Sequence, residues 1–153
     1  MISLKSAILL LGFNRIDYFT KVLTSLERNK AAYEHDLFVY IDGGPNARQE
    51  EIKELMAKSK FPDAGIVCRV NNWGIGRHLI DARRRLFDDL GYDRILLLED
   101  DLVLGEHYVE TVFQISDWAS KYDDIGTITA YNINAASIDE QAEQENQLIA
   151  TNR

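Results

Sequence analysis

Three acids in a row, Glu99-Asp100-Asp101, follow the apolar run Ile95 to Leu98. Carboxylates this close repel one another, and each is pushed toward protonation unless something compensates it. A hard divalent cation with oxygen ligands removes the conflict. Mg2+ or Mn2+ takes one or two carboxylates and completes its shell with water and phosphate oxygens. A solvated acidic turn capping the next helix accounts for the same residues equally well.

Other side chains able to do chemistry are more ambiguous. Gly74-Ile75-Gly76 lies between an apolar run and an amphipathic one. It departs from the dinucleotide fingerprint, because Arg77-His78-Leu79 supplies no third glycine. It can still bring backbone N–H groups and a helix start near a ligand; a plain turn accounts for it equally well. His78 falls in the first turn of that helix, where surface and packed positions are the ordinary alternatives. Arg83-Arg84-Arg85 resembles a phosphate patch, but consecutive helical residues point in different directions, so the run reads as a solvated face. Cys68 is the single cysteine; it excludes an intramolecular disulfide and reads as a buried thiol.

These residues need elements to position them. Apolar runs predict strands over 5–12, 37–41, 65–70, 94–98 and 125–130. Amphipathic spacing predicts helices over 16–29, 47–59, 77–90 and 106–121. The alternation predicts an α/β fold: a Rossmann-like, mostly parallel sheet with right-handed crossovers and helices on both faces. In such sheets ligands bind beyond the carboxyl ends of the strands. There the sequence places Asn14-Arg15, Asp42-Gly43-Gly44, residues 71–78, Glu99-Asp100-Asp101 and Tyr131-Asn132.

The totals narrow the function. The 153 residues suit one domain, and 46% apolar content suits a packed core. A net charge of −8 argues against nucleic-acid binding. No run reaches the roughly 20 apolar residues of a membrane helix, so no transmembrane segment is expected. Ala7 to Phe13 is too short, and lacks the cleavage site, for a signal peptide. A cytoplasmic location is the resulting expectation. An exposed sheet edge makes a homo-oligomer a further one. Residues 1–136 are read as one domain and 137–153 as a polar, acidic tail or the start of another half.

Taken in order, the strand-end pieces are similar to a known family. Gly12-Phe13-Asn14-Arg15, Tyr40-Ile41-Asp42-Gly43, Gly74-Ile75-Gly76-Arg77-His78, Ile95 to Leu102 and Ile128-Thr129-Ala130-Tyr131-Asn132 resemble GT-A glycosyltransferases of the N-acetylglucosaminyltransferase I type and their bacterial sugar-transferase relatives. The resemblance spans roughly residues 6–134 and covers the donor-binding half of that fold. It implies metal-dependent, inverting transfer of a sugar from a nucleoside diphosphate, UDP first, to a hydroxyl of a glycan or other acceptor. It implies that Asp101 coordinates Mn2+ or Mg2+ and that Glu99 and Asp100 contact ribose or metal-bound water. It implies that Asp42 bonds a uracil-type base, and that Arg15 and His78 line the nucleotide pocket. The family's acceptor half and catalytic base follow the strand that matches 125–130. The chain therefore reads as truncated, with the base expected beyond Arg153. Asp139, Glu140, Glu143 and Glu145 are carboxylates that nothing places at the base position, and the catalytic residue stays unknown. A noncatalytic nucleotide-sugar-binding fragment is the alternative. A receiver-type phosphate switch ranks lower, because its acidic pair follows the first strand, which here ends in Asn14-Arg15.

Overall fold

The most apolar run of the chain becomes a central strand. β1 (Ser6–Gly12) is buried along its whole length in the computed structural model, which describes residues 4–129. A strand buried on both faces cannot alternate polar with apolar residues, and SAILLLG does not. The chain continues through α1 (Ile16–Leu26), a 3-10 turn (Lys30–Glu34), β2 (Asp36–Ile41), α2 (Gln49–Ala57), β3 (Gly65–Cys68) and α3 (Gly74–Arg84). A π-helical turn (Arg85–Asp89) then leads to β4 (Arg94–Leu98) and α4 (Tyr108–Ala119).

The four strands form one parallel sheet in the order β3-β2-β1-β4. Side chains of successive strand residues point to opposite faces, and the core divides accordingly. Ile8, Leu10, Val39, Ile41, Leu96 and Leu98 pack with Phe19 and Val22 of α1, Ile52 and Met56 of α2, and Val109 and Phe113 of α4. Ala7, Leu9, Leu11 and Tyr40 pack with Ala82 of α3 and Leu86 of the π-helical turn. The expected α/β class, parallel sheet and helices on both faces are all present.

Two features differ from the sequence-based expectation. Ile125 to Thr129 form no strand. The apolar positions there, Ile125 and Ile128, are three apart rather than two, so no single face of a strand would be apolar. Ala130, Tyr131, Asn132 and the acidic tail through Arg153 lie outside the described residues. The catalytic base expected beyond Arg153 falls outside them as well. The helix expected over 77–90 begins earlier, at Gly74, and ends in the π-helical turn, where Leu90 N–H bonds Arg85 C=O at 3.0 Å. No described helix is long and apolar enough to cross a membrane.

Candidate functional site

The strand order reverses beside β1. The chain moves from β1 outward to β2 and β3, then crosses back to place β4 on the other side of β1. The loop after β1 leads to α1 on one face of the sheet and the loop after β3 leads to α3 on the other, and a crevice opens between them at the carboxyl ends. A cleft of about 480 Å3 lies there, bordered by Gly12 to Arg15, Asp42, Asn72, Gly74, Ile75, His78, Glu99 and Asp100. Two other hollows, one beside α2 and one beside β4 and α4, lie away from this convergence.

Asp42 directly follows β2 and is buried. Its Oδ1 accepts from the N–H groups of Gly43 at 2.8 Å and Trp73 at 2.9 Å, and its Oδ2 from Gly74 at 3.0 Å. This carboxylate ties the loop after β3 to the end of β2. Two glycines make the tie possible. Gly43 approaches the Arg69 and Asn71 carbonyls so closely that a Cβ would fall 2.3 and 2.7 Å from their oxygens. Gly74 opens α3 at φ +69°, a conformation in which L side chains are strained. Asn72 adds a second acceptor to Gly74 N–H at 3.0 Å. This i to i+2 bond is an Asx turn leading into α3.

His78 stands one turn into α3 and is 2% exposed. Neither ring nitrogen has a hydrogen-bond partner. Its ring meets Tyr40 edge-on, with centroids 6.1 Å apart. A buried imidazole with both nitrogens unpaired costs free energy, and His78 borders the cleft where a ligand could meet that demand.

The acidic turn divides by exposure. Asp100 is buried, whereas Glu99 and Asp101 are exposed. Arg15 Nη2 bonds Asp100 Oδ1, Arg15 Nε reaches Asp100 Oδ2 at 3.3 Å, and Arg15 Nη1 reaches Asp101 Oδ2 at 3.3 Å. The bond to Asp100, reinforced by the charges of Asp100 and Asp101, raises the Arg15 pKa further despite partial desolvation. Of the residues named from sequence, Arg15, Asp42, His78, Glu99 and Asp100 border one cleft. Asp101 stands beside them on the same turn, joined through Arg15 but outside the lining.

Among the described residues, no three His, Cys, Asp or Glu side chains cluster closely enough to hold a metal ion together. The carboxylate pair Asp100 and Asp101 fits the smaller protein contribution typical of Mg2+ or Mn2+, with water and phosphate supplying the remaining oxygens.

The turn is held from behind by residues that sequence reasoning passed over. Buried Asn29 donates from Nδ2 to the Ser25 and Gly105 carbonyls at 2.9 and 3.0 Å, and its Oδ1 accepts from Val109 N–H at 3.0 Å. Ser25 Oγ accepts from Leu104 N–H at 3.0 Å. Just before α3, the indole of Trp73 has the guanidinium groups of Arg69 and Arg77 at 4.2 and 4.1 Å from its ring. Compared with protein-family models and with curated proteins, the chain matches none.

Proposed function

We propose that this chain binds a nucleoside diphosphate sugar with a divalent cation and serves transfer of the sugar to an acceptor hydroxyl. One observation carries the reading: Arg15, Asp42, Glu99 and Asp100 from three strand ends and His78 from the first turns of α3 border one cleft at the carboxyl edge of a parallel sheet, and His78 is buried there without a partner. The resemblance of the same segments to GT-A glycosyltransferases supplies the substrate class.

The chain's own groups have distinct tasks in this reading. Asp42 fixes the Trp73–Gly74 turn; about one of its four lone-pair sites is left for a donor on the base. His78 offers the nucleoside either an N–H or a ring nitrogen. Arg15 offers charge to the diphosphate. Asp100 and Asp101 hold the cation, which when bound neutralises the negative charge that develops as the diphosphate leaves.

Calorimetry with UDP and Mn2+ tests the reading. A ligand present at 100 times its Kd stabilises the folded state by about 2.7 kcal/mol. The unaltered chain should show a raised melting temperature, and Asp100→Asn should lose most of that rise. No change with UDP or any other common nucleoside diphosphate would remove the proposal. UDP release in the presence of candidate acceptors would then separate a transferase from a binding module.

A further inference from the structure

Arg15 occupies an electrostatically awkward place. It is the N-cap residue of α1, and its side chain caps no backbone N–H. The start of an 11-residue helix carries partial positive charge, so a cation there is disfavoured by the helix. What holds it is the acidic turn: the guanidinium spans Asp100 and Asp101 with Nε, Nη1 and Nη2 all engaged. The Tyr18 ring, 5.4 Å from the guanidinium carbon, adds a weak contact. Arg15 thus already neutralises the carboxylates that the proposed function assigns to a metal ion. A dication on these carboxylates would repel the guanidinium at close range, and each Arg15 hydrogen bond takes a lone pair that the cation could use.

Resting on that proposed function, we infer that Arg15 is the built-in counter-ion of Asp100 and Asp101, and that a divalent cation binds this turn in competition with it. The released guanidinium then stands at the positive end of α1 and needs an anion. A diphosphate arriving with the cation supplies one, to the guanidinium and the helix start together. The exchange ties cation binding to diphosphate binding: the cation alone must break the Arg15 pairs without compensation, while cation and diphosphate together restore every charge pair. His78, buried and unpartnered on the opposite wall of the same cleft, independently marks the space as one that receives a ligand.

The test measures binding rather than turnover. Free Mn2+ is followed by electron paramagnetic resonance as the full chain, Arg15→Gln and Arg15→Lys are titrated, and circular dichroism checks that each is folded. Arg15→Gln should bind Mn2+ alone about tenfold more tightly than the unaltered chain, the scale expected when two partly exposed ion pairs no longer have to be broken. Arg15→Lys, which keeps the charge but loses the fork, should fall between them. With Mn2+ saturating, Arg15→Gln should bind UDP more weakly than the unaltered chain. Equal or weaker Mn2+ affinity in Arg15→Gln, including no binding to either protein, overturns the counter-ion role, as does undiminished UDP affinity. Failure of UDP and Mn2+ together to bind the unaltered chain removes the proposed function itself, a separate result.

Discussion

Asp42 shows how much local structure a single carboxylate can hold. Three backbone N–H groups converge on it, from Gly43, Trp73 and Gly74. Removing the acceptor leaves donors that solvent reaches only in part, and each buried unsatisfied group costs on the order of 1–3 kcal/mol. Asp42→Ala should therefore lower stability by about 3 kcal/mol and Asp42→Asn, which keeps one oxygen, by about half that. Urea unfolding measures both. A loss below about 0.5 kcal/mol in Asp42→Ala, the scale of an ordinary surface change, would show that the loop does not hang on this residue. The position of Asp42 after an apolar run was legible in the sequence. Its three bonds were not, because two of them reach residues more than 30 positions away.

At the scale of elements, the acidic turn depends on α1 as much as on β4. The side chains of Ser25 and Asn29, at the end of α1 and just beyond it, take up backbone groups of Leu104, Gly105 and Val109. These bonds fix the connection between Asp101 and α4. Asn29→Ala leaves Val109 N–H unsatisfied in a buried setting and should destabilise the chain by about 2 kcal/mol. It should also weaken Mn2+ and UDP binding, although Asn29 borders no part of the cleft. Calorimetry with both ligands checks this; unchanged binding beside lost stability would confine Asn29 to the core. The sequence disclosed the strand ends because apolar runs stopping at charged residues are local signals. Asn29 gave no such signal: one Asn after an amphipathic stretch looks like a helix terminus, and its partners lie some 80 positions downstream.

At the scale of the whole molecule, connection handedness explains both what was legible and what was not. Right-handed crossovers running outward from β1 to β3 place α1 and α2 on one face, and the return crossover to β4 places α3 on the other. The alternating pattern was enough to anticipate this much. α4, however, packs on the face of α1 and α2. A right-handed connection from that face cannot lead to a parallel strand on the outer edge of β4, and so 125–129 do not extend the sheet as their apolar residues suggested. α4 is instead held by its packing. Phe113 packs against the tilted His35 ring with centroids 3.9 Å apart, and the Arg94 guanidinium lies 4.9 Å from the Phe113 ring. Burial lowers the His35 pKa, Arg94 lowers it further, and Glu34, Asp36 and Asp117 oppose the shift without reversing it. The folded state therefore prefers neutral His35, so the stability this contributes is complete above the unfolded value of about 6.5 and is lost as pH falls from there through the lower folded value. Urea unfolding at about pH 7.5 and about pH 5.5 should show a loss in the unaltered chain that is smaller in His35→Gln, since most carboxylates remain ionised across this interval. An equal loss in both proteins would mean that the docking of α4 does not sense His35. A loss that depends on His35 would make α4, and the acidic turn it follows, the part of the molecule that acid loosens.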